Sequence, residues 1–241
     1  MDPKLLEIVT REVVRQLDLQ SSSGSFSGST EPAQGCSAQG CSTTVACSTT
    51  PDLGAFKIGI SNRHLHLSRD HMDTLFGPGS RLTVLKELIQ PGQFAAVETV
   101  TAVGPKGCLK GLRVVGPLRD QTQIEIAQTD AIGLGIQAPI RVSGDLAGSA
   151  PCVLVGPRGS VLLDEGVIVA KRHVHLEPDR ALRLGLKDRA QVKVAFDGDR
   201  GGLLDQFVVR IGSGHFSEIH LDTDEANALG VRNLQEVRIL K

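Results

Sequence analysis

The sequence contains neither Trp nor Tyr, and its 241 residues include only 7 Phe. Aromatic side chains supply the stacking surfaces of nucleic-acid binders and many anchors of protein interfaces, so both are scarce here. The 26 basic and 27 acidic residues leave a net charge of -1, whereas binding to a phosphate backbone requires a basic surplus. The sequence therefore predicts no nucleic-acid partner.

Long apolar runs are also missing. Apolar stretches reach only a handful of residues, far short of the roughly 18 that a membrane-spanning helix needs. The N-terminal region lacks the apolar segment and small-residue cleavage site of a secretory signal. We therefore expect an intracellular protein with no membrane association. In that setting its five Cys are expected to be free thiols or metal ligands rather than disulfides.

Residues 1–18 have the pattern of a short amphipathic helix. Asp2 followed by Pro3 is typical of a helix start. Apolar residues then recur at three- and four-residue spacing, at Leu6, Val9, Val13 and Leu17. Residues 19–54, rich in Ser, Thr, Gly and Ala, predict a flexible linker. A helix on such a tether predicts a tag that docks into a groove of a partner, and the alternative is a helix packed on its own domain.

Three cysteines lie in this predicted linker, Cys36, Cys41 and Cys47. Their spacing of five and six positions departs from the CxxC pairs of many zinc sites. We interpret them as spare thiols, with a three-Cys metal site as the alternative.

Residues 55–241 have the texture of a globular unit. Short β-branched segments alternate with Gly-containing turns, which predicts a mainly β, turn-rich architecture. The similar segments VGPKG (103–107) and VGPRG (155–159) predict hairpin turns.

The unit repeats itself. IGISNRHLHLSRD (58–70) resembles VIVAKRHVHLEPD (167–179), and IEIAQTDAIGLGI (124–136) resembles IHLDTDEANALGV (219–231). Each half thus contains an RHxH strand and, further on, a strand that leads into a short helix ending in Leu-Gly. This pattern indicates an internal duplication.

The repeated segments carry candidate metal ligands. Residues i and i+2 of a strand project from the same face, so the two imidazoles of each HxH pair point together. The second repeated segment adds a third ligand, a carboxylate in one half and an imidazole in the other. Three ligands and an open position are typical of catalytic zinc, while Fe, Co and Mn remain open on ligand type. The two predicted sets are His64, His66 and Glu125, and His173, His175 and His220.

Two further residues lie near these motifs. Arg119 comes six residues before Glu125, where a guanidinium could bind phosphate or carboxylate. A rim salt bridge with Asp120 is the alternative. His215, in the GSGHF loop, is expected to be a surface residue, and the alternative is a residue that supports the metal ligands or acts as an acid or base.

Four ordered motifs, SNRHLHLS, GPLRDQTQIEI, KRHVHL and SEIHLDTDEANALG, resemble the PduL-type phosphotransacylase (phosphate propanoyltransferase) family. The resemblance spans roughly Phe56 to the C-terminus. The N-terminal helix and linker are similar to the encapsulation peptides that load enzymes into bacterial microcompartments. That similarity implies a bacterial cytoplasmic enzyme, encapsulated through shell or core proteins that bind residues 1–18.

The family resemblance implies two related β-barrels, formed by residues 55–62 with 171–241 and by residues 63–170, with short capping helices. It implies reversible acyl transfer between coenzyme A and phosphate at two Zn²⁺ ions bound by the two predicted sets. Arg119 would bind phosphate. We also expect Ser61, Asn62 and Asn227, the last near the start of a helix, as candidate CoA contacts, and a homo-oligomer.

Other functions fit the same residues. A dinuclear metal hydrolase of an ester, thioester or amide would use the same ligands, and a non-enzymatic metal-binding scaffold would use closed coordination. Cys108 and Cys152 are the alternative nucleophiles, although their apolar strand contexts favour buried structural roles.

Overall fold

The structure is a computed structural model that describes residues 52–240, and these residues form a mainly β fold. The predicted helix 1–18 and the three linker cysteines lie outside the described residues. The first strand begins at Asp52, three residues before the predicted start of the globular unit. In chain order the described strands are β1 (Asp52–Ser61), β2 (His64–His66), β3 (Val84–Glu87), β4 (Phe94–Val103), β5 (Cys108–Gly116), β6 (Gln123–Ile126), β7 (Ile140–Arg141), β8 (Ala150–Val155), β9 (Ser160–Ala170), β10 (His173–Leu176), β11 (Gln191–Phe196), β12 (Gly202–Ile211), β13 (Glu218–Asp222) and β14 (Glu236–Leu240). The described helices are α1 (Arg69–Phe76), α2 (Gln128–Leu134), α3 (Pro178–Leu184) and α4 (Thr223–Leu229).

Six strands form a closed ring, which we name the C-terminal barrel, in the order β1-β13-β10-β12-β11-β14. Strand β1 is parallel to β13 and antiparallel to β14, and this second pairing closes the ring. Alternate residues of β11, Val192, Val194 and Phe196, are buried. This alternation is what a strand with one face toward a core requires. The barrel therefore combines one strand from the start of the described chain with five from its end.

A second ring, which we name the N-terminal barrel, has the order β4-β5-β2-β6-β9-β8 and is closed by the pairing of β8 with β4. Strands β3 and β7 extend this sheet beside β4 and β9. All six strands of the ring lie between residues 64 and 170. Strand β9 precedes the β10 histidines in sequence and belongs to this barrel, just as β1 precedes the β2 histidines and belongs to the other.

The two rings match pair by pair. In the N-terminal barrel β9 is parallel to β6 and β2 is parallel to β5, and in the C-terminal barrel β1 is parallel to β13 and β10 is parallel to β12. The other neighbours in both rings are antiparallel. The predicted mainly β architecture of two related barrels is thereby confirmed.

Each barrel has its own apolar core. Leu65, Leu112 and Ile124 lie in the core of the N-terminal barrel, and Phe56 and Phe207 lie in that of the C-terminal barrel. All five side chains are at most 2 % exposed. Burying large apolar side chains is the dominant favourable contribution to folding, so each ring is stabilised from within.

The helices are seven or eight residues long, and each follows a strand that carries candidate ligands. Ser68 caps α1 by accepting a hydrogen bond from the His71 backbone N–H, and Asp222 caps α4 in the same way through Glu225. Of the helices within residues 52–240, none has both the length and the apolar character needed to cross a membrane.

The two predicted hairpin turns are confirmed, and each packs against the end of a helix. The backbone N–H of Gly104 donates to Gly107 O, and that of Gly156 donates to Gly159 O. The first turn also bonds to Leu134 O at the end of α2, and the second bonds to Leu75 O near the end of α1. The turns therefore satisfy carbonyls that would otherwise be left without partners at these helix ends.

Candidate metal and substrate site

The structure brings the first predicted ligand set together. His64 and His66 lie on β2 and Glu125 lies on β6, where His64 and Glu125 are direct partners in the antiparallel register. His64 Nε2 is 3.8 Å from Glu125 Oε2, and one ligand atom of each residue lies within 4.8 Å of the others. Adjacent strands therefore deliver the three side chains to one point.

Backbone carbonyls orient both imidazoles of this set. The Nδ1 atoms of His64 and His66 lie 2.8 Å from Asn62 O and 2.9 Å from Val115 O. A carbonyl can only accept, so Nδ1 carries the proton in each ring. The Nε2 lone pairs are then left free, which is the arrangement found in metal-binding histidines.

The second set has the same construction in the C-terminal barrel. His173 on β10 pairs with His220 on β13, and His175 lies two residues further along β10. The three residues again offer ligand atoms within 4.8 Å of one another. His173 Nδ1 lies 2.9 Å from Lys171 O, which repeats the bond of His64 to the carbonyl two residues before it.

Burial keeps the buried imidazoles neutral. Burial, and then the neighbouring imidazole, lowers the pKa of His66 and of His173 from 6.5 to about 3. Burial, followed by His173 and His220, lowers the pKa of His175 even further below its usual range. Histidine binds metals in this neutral form, so no proton has to be displaced from these rings at pH 7.

The donor atoms of both sets fit a divalent cation. His173 Nε2 and His175 Nε2 are only 3.1 Å apart, and His175 Nδ1 is buried without a hydrogen-bond partner among the described residues. Burial acts to raise the pKa of Glu125, but His64 and His66 outweigh it and lower this pKa to about 2, so the carboxylate is ionised. Converging neutral nitrogens with one anionic oxygen suit zinc and similar metals.

Arg119 lies beside the first set, in the segment before β6. Its Nη1 donates to Ser143 Oγ over 3.3 Å, and its backbone N–H donates to Leu67 O. Burial lowers the pKa of its guanidinium, while Glu125 opposes that shift. A cavity of about 340 Å³ is lined by Arg119, His66 and the neighbouring segments Pro91–Gln93 and Gly116–Pro117. The arginine therefore faces an open space next to a candidate ligand.

Arg210 on β12 is a charged residue of the site that the sequence motifs did not indicate. It is the register partner of His175 on β10, so the two side chains leave the barrel wall on the same side. Its charge also acts on Arg119, where it adds to the lowering of the pKa by burial. A charged residue inside the apolar segment QFVVRIG was the available signal.

His215 corrects an expectation from the sequence. Its ring centroid lies 4.4 Å from that of His175, and its Nδ1 lies 3.2 Å from Arg210 O. It is therefore packed against a candidate metal ligand and is not a free surface residue. The loop that carries it has no counterpart in the other half, so the repeat could not place it.

The three candidate CoA contacts lie on different elements and do not form a cluster like the two ligand sets. Ser61 ends β1, and Asn62 is exposed and orients His64 through its carbonyl. Asn227 is exposed and is the fifth residue of the seven-residue helix α4. Its carbonyl accepts the capping N–H of Gly230, so Asn227 lies toward the end of the helix rather than near its start.

The chain is similar to several proteins named phosphate propanoyltransferase. A phosphate propanoyltransferase of Rhodopseudomonas palustris strain BisB18 is 50 % identical over 184 residues, which cover 76 % of this chain and 81 % of the relative. One from Rhodobacter capsulatus is 50 % identical over 193 residues, covering 80 % and 90 %. One from Thermotoga maritima is 52 % identical over 172 residues, covering 71 % and 82 %.

These matches and the paired-barrel site place the chain among the phosphate acyltransferases, as the sequence predicted. Residues 57–232 match the model of the phosphate propanoyltransferase family. The chain belongs to that family.

Proposed function

We propose that this enzyme catalyses the zinc-dependent, reversible transfer of a short acyl group between coenzyme A and inorganic phosphate. The observation that carries the proposal is the pair of three-ligand groups, one per barrel, with Arg119 beside one and Arg210 beside the other. The names of the relatives supply the substrate class. The two β-barrels within residues 55–241 would together form the catalytic unit.

Two zinc ions would be bound by the two ligand sets. His64, His66 and Glu125 would hold one ion, and His173, His175 and His220 would hold the other. When bound, zinc supplies Lewis-acid polarisation of a thioester carbonyl and stabilisation of a thiolate leaving group.

Phosphate would bind between the two guanidiniums. Arg119 lies on the N-terminal barrel and Arg210 on the C-terminal barrel, close enough for their charges to interact. Two like charges that act on each other favour an anion between them. The Ser143 hydroxyl, 3.3 Å from Arg119 Nη1, fixes the guanidinium on one side. Both arginines would orient a phosphate oxygen for attack and offset its negative charge.

The chain supplies no covalent nucleophile in this proposal. A phosphate oxygen attacks the thioester carbonyl carbon, the C–S bond breaks, and the CoA thiolate leaves with the bonding electrons. Both substrates must then be bound together. Parallel lines in initial-rate plots, the signature of an acyl-enzyme, would contradict this order.

A thiol-release assay tests the reaction. Free thiol is measured with acetyl-CoA and with propionyl-CoA, each with and without phosphate, and after chelation followed by zinc. We expect thiol release only with phosphate and zinc present. Release that is independent of phosphate would assign the same ligands to a hydrolase instead.

We further propose that residues 1–18 direct the enzyme into a bacterial microcompartment by binding shell or core proteins, with residues 19–54 as the tether. A variant lacking residues 1–18 is expected to keep its transferase kcat and to lose co-purification with compartments. Loss of catalysis in this variant would contradict the targeting role. We also propose that the enzyme is a homo-oligomer and that Ser61, Asn62 and Asn227 contact CoA.

A further inference from the structure

In both barrels a buried residue lies two positions before the third candidate ligand. Gln123 precedes Glu125, and Glu218 precedes His220. Glu218 lies 95 residues after Gln123, and His220 lies 95 residues after Glu125, so the two pairs are equivalent in the repeat. Residues at i and i+2 of a strand share a face, so each pair lies side by side. Gln123 is 1 % exposed and Glu218 is 4 % exposed. The pairs occupy equivalent places and contain different chemistry.

In the N-terminal barrel the pair is an amide beside a carboxylate. Gln123 Nε2 donates to Glu125 Oε1 and, over 2.8 Å, to Ser143 Oγ. The backbone N–H of Gly144 donates to Gln123 Oε1 over 2.7 Å. This last bond fixes which end of the amide is which, so its NH₂ group faces the ligand carboxylate.

In the C-terminal barrel the pair is a carboxylate beside an imidazole. His220 Nε2 lies 2.8 Å from Glu218 Oε2. With the Glu218 oxygen as the acceptor of this bond, Nε2 carries the proton and Nδ1 keeps the lone pair. Gln90, which is 6 % exposed, donates from Nε2 to the same Glu218 oxygen over 3.2 Å. Its amide is in turn fixed by two 3.3 Å bonds to the backbone of Phe216.

We infer that Gln123 and Glu218 are positioning residues, each chemically matched to the metal ligand beside it. This inference rests on the two metal sites of the proposed function. A carboxylate ligand can accept a hydrogen bond from a donor next to it, and an imidazole ligand can donate its ring N–H to an acceptor. Two buried carboxylates in one pair would repel each other, and two donors would leave polar atoms without partners.

The different chemistry of the two pairs has a consequence for the two proposed metal sites. Each site contains one of the two carboxylates, Glu125 as a direct ligand and Glu218 behind an imidazole. The net charge around the two ions is therefore similar, while the atoms bound to them differ. Outer partners of this kind orient their ligands, and an acceptor such as Glu218 also raises the basicity of the imidazole it binds, so the pairs set both the geometry and the affinity of their sites.

Single substitutions test the matching. Gln123→Glu and Glu218→Gln are each expected to lower the zinc affinity of one of the two sites by about 10–100-fold. Affinity is measured as zinc retained per chain during dialysis against a competing chelator. The matched control is Gln191→Glu on the exposed side of β11, which is expected to retain zinc as the wild type does.

Exchanged pairs give the sharper test. Glu125→His and His220→Glu each place a ligand beside the wrong partner and are expected to reduce zinc from two to one per chain. The double variants Gln123→Glu/Glu125→His and Glu218→Gln/His220→Glu restore a matched pair and are expected to regain the second zinc. Circular dichroism and the absorption spectrum of Co²⁺-loaded protein report fold and ligand set independently of activity.

The outcomes separate this inference from the proposed function. A wild type that binds no zinc would overturn the metal sites themselves. If the wild type binds two zinc ions and neither Gln123→Glu nor Glu218→Gln lowers the zinc affinity, only the positioning roles are overturned. Folded double variants that still bind one zinc per chain would have the same meaning.

A further variant covers the case in which the double variants do not fold. At Gly59 a Cβ would lie 2.7 Å from Glu218 Oε1 and 3.1 Å from His220 Cδ2. Gly59→Ala therefore displaces the Glu218 carboxylate without changing any charge. It is expected to weaken zinc binding at one site, and unchanged affinity in this variant would count against the role of Glu218.

Discussion

Cys152 illustrates how burial decides the chemistry of a single side chain. The residue is 5 % exposed, and burial raises the pKa of its thiol to about 12. The thiolate is the nucleophilic form, so this sulfur is unreactive near neutral pH. Both described cysteines, Cys108 and Cys152, are free of disulfides.

The first prediction concerns these two cysteines. The double variant Cys108→Ser/Cys152→Ala is expected to keep kcat/KM within about twofold of the wild type, because the proposed mechanism uses no protein thiol. The measurement is the phosphate-dependent thiol-release assay with propionyl-CoA. A folded variant whose kcat is lower by about 100-fold or more would instead indicate a cysteine nucleophile and an acyl-enzyme mechanism.

The second prediction concerns Arg119. Arg119→Ala is expected to raise the KM for phosphate by about tenfold or more and to lower kcat, whereas Arg119→Lys recovers only part of the loss because lysine lacks the planar fork of donors. Initial rates at varied phosphate concentration measure both constants. The control is Arg238→Ala, which removes an exposed ion pair to Asp197 of little energetic value. An equal response of the two alanine variants would remove Arg119 from the phosphate site.

The candidate ligands could be predicted from sequence because local spacing pairs the two imidazoles of each set and the internal repeat indicates the third ligand. An HxH strand places two imidazoles on one face, and the repeat identifies Glu125 and His220 as equivalent. Arg210 and Gln90 could not be found this way. Arg210 reaches the site only through the parallel register of β12 with β10, and Gln90 does so through a loop of the other barrel.

At the scale of elements, the two Gly-Pro turns act as helix caps. A Cβ at Gly104 would lie 2.4 Å from Leu134 O, and one at Gly156 would lie 2.5 Å from Leu75 O. Both distances are shorter than any ordinary contact, and the obstructing atoms are backbone. The close approach of each turn to its helix is therefore possible because glycine has no side chain.

The third prediction follows from this contact. Gly104→Ala and Gly156→Ala are each expected to lower the free energy of unfolding by about 1–3 kcal/mol, because the turn has to move away from the helix end. The matched control is Gly133→Ala in α2, where a Cβ meets nothing within 4 Å. Alanine there is expected to be neutral or to stabilise by up to about 1 kcal/mol. Urea unfolding measures all three, and equal values would contradict the packing argument.

The sequence predicts the two turns but not their contacts with the helix ends. The pattern Val-Gly-Pro-basic-Gly is typical of a hairpin, and local preferences suffice to recognise it. The position of each turn against a helix far along the chain depends on how the barrel closes, which no local preference specifies. The assignment of β1 to the C-terminal barrel came from family resemblance, because strand propensity says nothing about which ring a strand joins.

At the scale of the whole molecule, metal binding at the two proposed sites would be linked to folding. The ligands of each set come from strands far apart in sequence, such as β2 and β6, and they converge only in the folded protein. A ligand that binds the folded state and not the unfolded chain stabilises the former by RT ln(1 + [L]/Kd), about 2.7 kcal/mol at 100 times Kd.

The fourth prediction is that chelation lowers the midpoint of thermal unfolding and that added zinc restores it. Calorimetry of the full chain measures the effect. The control is the variant His173→Ala/His64→Ala, which lacks one ligand of each set and is expected to respond weakly to chelator. A wild type whose unfolding is indifferent to chelator would contradict metal binding at these sites.

The pairing of β1 with β14 joins the two ends of the described chain, with Phe56 opposite Val237. On the ribosome the strands of the N-terminal barrel emerge as one uninterrupted stretch and can assemble early. Strand β1 leaves the ribosome before the other described strands, yet its two neighbours are β13 and β14, the last two of them. Until those two strands have emerged, β1 has neither of its sheet partners, and unpaired strand edges of this kind are prone to aggregation.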